Sequence, residues 1–351
     1  MANYNHGHYL TRALQSISEQ SYRPLEIIVI DDGSTDNSVE VIQSFARNNP
    51  LIRLLRNERN MGVVYTANRL VEEAAGDYFL GTAADDEVLP GMFEKSMRLL
   101  AQYPEAGLCS TMSKVIDVST GKETAMLPLK NISERECYIS PETALQWMRR
   151  RESWIMGNTC VYRRSALVAA GGFIPELYAF CDGFIQMVLA LKHGACFIPE
   201  PLAVWRFATT GYAAGAESNL ETSLKMWPHA AHLMRTTYAD LFPADYVDKW
   251  EREHLFRARL SALNRVHKEQ VAVVSGFQES QSLLDRTFGT LVRGVMRLQF
   301  LFLLGLLLLR FGRWILPVLT RGLRVAARSV SERRSKDISR NPAQVEFEKF
   351  G

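Results

Sequence analysis

The groups in this sequence best placed to do chemistry are acidic residues in pairs, each at the end of an apolar run. Asp31-Asp32 follows Leu25–Ile30, a largely apolar, β-branched stretch, and Gly33-Ser34 then turns the chain. Asp85-Asp86, with Glu87 behind them, follows Gly76–Thr82. Apolar, β-branched runs that stop at Asp and Gly read as buried strands ending in turns. Carboxylates gathered at neighbouring strand tips repel one another and raise their own pKa values. A divalent cation that also touches a phosphate relieves that repulsion, and hard oxygen ligands suit Mg²⁺ or Mn²⁺. Asp182, in Phe180-Cys181-Asp182-Gly183-Phe184, stands at the start of a helical pattern, where an acid on its own reads as a cap.

These groups need an α/β scaffold. The spacing predicts a helix over Tyr9–Gln20, a strand at Leu25–Ile30 and a helix over Val39–Asn48 that Asp36-Asn37-Ser38 would cap. A strand at Ile52–Leu55, a turn at Asn57–Gly62 and a helix over Val63–Ala75 follow. Strand–acidic turn–helix is the geometry of a crevice at the carboxyl edge of an open sheet. The helix start after Gly62 would offer backbone N–H groups to an anion. Asn60 and Asn68 read equally as caps or surface amides, the preferred reading for Asn68. Further on, Gly91–Tyr103 is helical, and Gly107–Met112 and Lys114–Val118 are strands. Residues 122–140 are polar and irregular, and Pro141–Arg151 is a helix with a basic end. The chain continues with a short helix over Ala166–Gly171, a helix from Phe180 to His193, and strands at Ala195–Pro199 and Leu202–Phe207. Thr209–Gly215 reads as a flexible lid.

Asn3-Tyr4-Asn5, Asp31-Asp32-Gly33-Ser34, Asn60-Met61-Gly62 with Ala67-Asn68, Asp85-Asp86, Gly171-Gly172-Phe173 and Asp182, in that order, resemble the family 2 glycosyltransferases over residues 1–215. The resemblance implies a GT-A fold: a Rossmann-like mixed α/β sheet flanked by helices. It implies that Asp32 binds the base, with Asn5, Asp31 and Asn60 also among the substrate-binding residues. Asp86, with Asp85, would hold the metal and diphosphate, and Asp182 would be the catalytic base. Arg206, in Trp205-Arg206, would stabilise leaving-group charge. Trp154 lies where that family admits the acceptor, and it reads equally as a sugar-stacking ring or a core tryptophan. The chain departs from the pattern at Cys181, where an acid is usual, and at Ala208, where a histidine is common. Asn3-Tyr4-Asn5 reads as the turn after a first strand that is itself missing, which points to a truncated or misassigned start and to a gain in stability if an apolar strand were restored.

The net charge of +3 hides an asymmetry. Residues 286–351 carry 13 Lys/Arg against 4 Asp/Glu, whereas residues 1–285 carry 28 against 34. Residues 216–285 read as a helical appendage: Glu221–Arg235, Tyr246–His267 and Ala272–Leu284. Within residues 286–331 the run Leu298–Leu309 is strongly apolar, but it is shorter than the roughly 20 residues a spanning helix needs. Arg293, Arg297, Arg310 and Arg313 flank it, and Arg321, Arg324 and Arg328 make a basic stripe. This composition fits a segment lying on an anionic membrane surface, with a dimer-buried helix as the rival. Residues 332–351 read as disordered. Basic residues interleaved with aliphatic runs argue against nucleic acid. Five scattered cysteines without C-x-x-C spacing fit reduced thiols in the cytoplasm.

The leading expectation is thus an inverting transferase that moves a sugar from a nucleotide sugar, UDP-linked, to a saccharide or lipid-linked hydroxyl. It would work at the cytoplasmic face of a membrane, in cell-surface polysaccharide or glycolipid synthesis. The alternative is a non-catalytic nucleotide-sugar-binding or scaffold protein at that membrane. A processive synthase lacks its Gln-x-x-Arg-Trp signature here, and no Gly-x-Gly-x-x-Gly follows a strand to suggest an oxidoreductase.

Overall fold

The computed structural model describes residues 1–128, 132–150, 155–208, 219–278, 294 and 297–305. The chain divides into two compact units, Met1–Glu251 and Arg252–Gly351. In the first unit the order is β1 (Ala2–Asn3), α1 (Gly7–Ser18), β2 (Ile27–Asp31), α2 (Ser38–Asn48), β3 (Ile52–Arg56), α3 (Val63–Glu73), β4 (Tyr78–Leu80), β5 (Glu87–Val88) and α4 (Met92–Gln102). It continues with β6 (Leu108–Asp117), β7 (Glu123–Leu127), β8 (Cys137–Ile139), α5 (Pro141–Arg150), β9 (Val161–Arg163), α6 (Arg164–Ala169), α7 (Cys181–His193), β10 (Ala195–Phe207) and α8 (Leu220–Arg235). α9 (Ala244–Gln278) begins in the first unit and carries the chain into the second.

Alternation along β2 explains the layering. Ile27 and Val29 join a core with Leu10, Leu14, Ile42, Met92 and Leu100 from α1, α2 and α4. Ile28 and Ile30 join the other core, with Val64, Leu70, Met148, Phe184 and Val188 from α3, α5 and α7. Successive strand residues point to opposite faces, so a strand that is apolar on both faces must be covered on both.

β1, β2 and β3 form a parallel sheet in that order. A mixed seven-stranded sheet has the path β4-β9-β6-β10-β5, with β7 on β6 and β8 on β10. The first-strand expectation is corrected here. Asn3, read as the start of the turn, instead belongs with Ala2 to a two-residue strand paired with Ile30 and Asp31. On its other side Ala2 bridges to Ala83; its N–H donates to Thr82 O at 3.0 Å, and its carbonyl accepts from Ala84 N at 3.0 Å. Two residues thus bring the chain segments bearing both acidic tips side by side. Below them a cavity of about 560 Å³ opens between β2 and β4, lined by Met1, Ile28, Phe79, Phe93 and Val161 among others.

Other readings also change. Residues 122–140 are not irregular throughout: β7 pairs with β6 and β8 with β10. Both strands are short, and β7 is largely exposed on a hairpin, so no apolar alternation betrays it. Leu108–Asp117 is one strand, and so is Ala195–Phe207, which passes Pro199 and Pro201 through register shifts. α9 runs unbroken through residues 268–271, where no Gly or Pro stops it.

Candidate active site

The first acidic tip is laced by its own loops. Asp31 is fully buried; it accepts from Asn3 Nδ2 at 3.0 Å and from the Ser34 N–H at 3.1 Å, and Arg56 Nε stands 4.0 Å away. Asp32 Oδ1 accepts from Asn57 Nδ2 at 2.6 Å and from the Met61 N–H at 2.8 Å, while Oδ2 accepts from the Gly62 N–H at 2.9 Å. Asp32 therefore ties the tip of β2 to the start of α3. Gly33 has φ +76, and a Cβ there would meet the Arg59–Asn60 backbone within 3 Å, so glycine lets the two loops touch. Asn5, itself at φ 54, accepts from the Thr35 N–H at 2.8 Å, and its N–H donates to Ser34 Oγ at 2.9 Å. Asn60 is exposed, with Oδ1 accepting from the Gly62 N–H at 2.9 Å.

The second tip is Ala83–Glu87. Asp86 is buried, and its carboxyl is raised well above the usual range, first by burial and then by the Asp85 charge; Asp182 pushes the same way and Arg206 opposes. Asp85 is partly exposed, with His6 Nδ1 at 3.9 Å. Arg206 Nη1 donates to the Asp85 carbonyl at 3.0 Å and Nη2 to Glu87 Oε2 at 2.7 Å.

Asp182 lies in the first turn of α7, its Oδ1 accepting from the Gly183 N–H at 2.6 Å, and burial raises its pKa. A Cβ on Gly157 would fall 2.0 Å from Asp182 Oδ2, so the 3-10 turn Gly157–Thr159 passes directly against this carboxylate. Burial, and then the Asp182 charge, push the Cys181 thiol up. Cys181 packs on the core as a small hydrophobe.

The structure thus groups Asn5, Asp31, Asp32 and Asn60 around the first tip. At the second it brings Arg206 to the Asp85 carbonyl and the Glu87 carboxylate, and the charges of Asp85, Arg206 and, least, Asp182 act on Asp86. Trp154 and residues 209–218, which include the expected lid, lie outside the described residues. Two residues had no role in the sequence reading: Asn57 is buried and supports Asp32, and Gly157 abuts Asp182. Glu87, read only as part of the acidic tip, pairs with Arg206. Asn68, read as a surface amide, instead donates to the Phe173 carbonyl at 2.7 Å and accepts from its N–H at 2.8 Å. No local pattern marks such partners, which lie 25 to 119 residues away along the chain.

The second tip fits a cation. Asp86 is a buried carboxylate that the fold makes costly to ionise, beside two others that raise the cost. Among the described residues no group of three or more acidic, histidine or cysteine side chains is arranged to hold a metal by itself. One or two carboxylates with the remaining positions left to phosphate oxygens and water is the manner in which Mg²⁺ is usually held beside nucleotides.

Comparison with known proteins bears on the family and the fold. Residues 1–169 match the profile of Glycosyl transferase family 2. An uncharacterized protein of Mycobacterium tuberculosis is 31% identical over 208 residues, 58% of this chain and 64% of that one. The uncharacterized glycosyltransferase YibD of Escherichia coli is 44% identical over 165 residues, 47% of each chain. The chain therefore spans about half to two thirds of the length of these relatives. In fold it is similar to residues 1–349 of S. aureus TarS in complex with UDP, with a TM-score of 0.54 and 18% identity, covering 73% of this chain and 69% of that one. The same protein with UDP-GlcNAc gives 0.53 at 14% identity, covering 85% and 90%.

Proposed function

Through residues 1–169 the chain belongs to glycosyltransferase family 2, and from that premise we propose that it transfers a sugar from a nucleotide sugar to a hydroxyl acceptor with inversion at the anomeric carbon. The observation that supports this reading is that β1 pairs with Ile30 and Asp31 on one side and bridges to Ala83 on the other, so that the Asp31-Asp32 tip and the Ala83–Glu87 tip flank the same two residues. UDP is the proposed nucleotide by analogy with TarS, whose structures hold UDP and UDP-GlcNAc.

Asp86 and Asp85 would hold Mn²⁺ or Mg²⁺, which when bound neutralises charge on the leaving diphosphate. Asp32, Asn5 and Asn60 shape the nucleotide side, with Asp31 buried beneath them as the support of the turn. Asp182 takes the proton of the acceptor hydroxyl as that oxygen attacks; its raised pKa makes it a better base than an ordinary aspartate. Attack opposite the departing diphosphate inverts the centre, so one carboxylate suffices and no covalent intermediate forms. Arg206 adds a cation beside the acidic tip. Trp154 is proposed on the acceptor side.

The acceptor is proposed to be a saccharide or lipid-linked hydroxyl, met at the cytoplasmic face of a membrane through residues 286–331, in polysaccharide or glycolipid synthesis. Among the described residues no helix is long and apolar enough to cross a membrane. Within that segment Leu298, Leu301 and Phe302 are helical and exposed.

The test is a thermal-shift screen of nucleotide sugars with and without Mn²⁺, followed by product analysis with the best donor. A ligand at a hundred times its Kd adds about 2.7 kcal/mol, which such a screen detects. Stabilisation by a UDP-sugar and inverted product support the proposal. Binding without transfer to any acceptor or to water would favour the scaffold reading, and no binding would overturn both.

A further inference from the structure

Arg206 sits beside the acidic tip. β10 pairs antiparallel with β5 through Val204↔Glu87 and Ala203↔Val88, so residue 206 follows just beyond the paired stretch, on the side from which the Asp85–Asp86 turn enters β5. Its side chain is nearly inaccessible, at 7% exposure. One guanidinium nitrogen donates to the main-chain carbonyl of Asp85 and another to the Glu87 carboxylate, so the fork spans the residues on either side of Asp86. The Tyr9 ring lies 5.9 Å from the guanidinium, closing one side. Its hydrogen bonds go to protein acceptors, and it braces the loop from behind.

We infer that Arg206 is a positioning residue that fixes the Asp85–Glu87 loop for cation binding, with Glu87 as its obligatory partner, and that it is not itself a ligand of the diphosphate. The inference rests on the reading of Asp86 as the cation-holding residue. Arginine suits the task because its planar fork meets a carbonyl and a carboxylate at once, which an ammonium cannot match in geometry. Supports of metal-holding groups typically change metal affinity about 10- to 100-fold when removed.

The experiment measures Mn²⁺ alone, by the EPR signal of the free ion, in the wild-type chain and in Arg206→Lys, Arg206→Met, Glu87→Gln and the Met/Gln double variant. UDP and uridine are titrated separately without metal. We expect Arg206→Met and Glu87→Gln each to weaken Mn²⁺ binding by about 10-fold or more. The double variant should be no worse than Arg206→Met, because the two side chains act as one unit. Arg206→Lys should fall between, and the preference for UDP over uridine should stay unchanged throughout. Unaltered Mn²⁺ affinity in Glu87→Gln, or loss of the UDP-over-uridine preference in Arg206→Met alone, overturns the inference. If Arg206→Met fails to fold, Arg206→Lys and Glu87→Gln carry the same comparison. A wild-type chain that binds UDP but not Mn²⁺ overturns this inference and leaves the nucleotide-sugar reading standing; one that binds neither overturns both.

Discussion

The side-chain amide of Asn68 closes two hydrogen bonds on the backbone of Phe173, 105 residues away, accepting from its N–H at 2.8 Å and donating to its carbonyl at 2.7 Å. Gly172, at φ +70, brings the chain so close that a Cβ would stand 2.8 Å from Asn68 Oδ1. From the other side Tyr238 Oη donates to the Ala170 carbonyl at 2.9 Å. The segment leading to Asp182 is therefore held by α3 and by the chain after α8. Asn68→Ala is expected to cost about 1–3 kcal/mol, because two partly buried backbone groups lose their partner. Gly172→Ala should cost more than Gly121→Ala: φ is +70 and +65, but a Cβ on Gly121 meets nothing within 4 Å. Urea denaturation of the three variants checks the order, and equal losses at Gly172 and Gly121 would remove the clamp from the account.

Asp182→Asn is expected to keep UDP-sugar binding while transfer falls by about 10² to 10⁴. Gly157→Ala should act in the same direction without touching an ionisable group, since its methyl would occupy space 2.0 Å from Asp182 Oδ2 and displace the carboxylate. Donor titration and single-turnover transfer, measured on both, separate binding from chemistry. Near-normal turnover in Asp182→Asn would reduce this residue to a helix cap.

Asp86 and Asp182 are both raised above their ordinary values, so the folded chain holds their protons more tightly than the unfolded chain does. Their stabilising effect is complete below about pH 3.8–3.9 and is lost as pH rises through the folded-state values. Without metal, wild-type stability relative to Asp86→Asn should therefore decline as pH rises above about 4, and Asp86→Asn should remove its share of that slope. Adding Mn²⁺ should restore stability on the alkaline side, where the ion meets ionised carboxylates. Urea midpoints from pH 4 to 8 for both chains decide it; parallel curves would mean that Asp86 is not perturbed.

The parts of this picture that were legible in the sequence are those governed by local patterns. Ile27–Ile30 announces a strand buried on both faces, and Asp31-Asp32-Gly33 its end. Asp86 and Asp182 could be singled out because an acid at a strand tip or helix start is a local feature. The burial that raises both carboxyls is not local, because it depends on what the rest of the fold packs around them. β1 escaped notice because two residues carry no periodicity; its pairing with Ile30–Asp31 on one side and Ala83 on the other makes it a strand. The clamp at Asn68 was unreadable for the same reason: an amide looks alike whether it meets water or a backbone far along the chain.

The last prediction concerns residues 286–351. The described helical stretch 297–305 exposes Leu298, Leu301 and Phe302 at a three-and-four spacing, with Leu303 exposed beside them. In the sequence Arg293, Arg297, Arg310 and Arg313 surround it. Each basic residue near an anionic leaflet contributes about 1 kcal/mol, and salt screens that attraction over a Debye length of about 8 Å. Apolar burial is not screened. The full chain is therefore expected to sediment with vesicles containing anionic lipid, to resist release by high salt and to be freed by detergent. A chain ending at residue 285 should stay in the supernatant and still bind the nucleotide sugar, because the residues assigned to the crevice all precede residue 207. The measurement is co-sedimentation of both chains with anionic and neutral vesicles, with the oligomeric state of unbound protein followed by light scattering. A full chain that remains in the supernatant as a stable dimer would make the exposed face a subunit contact and remove the membrane from the proposal.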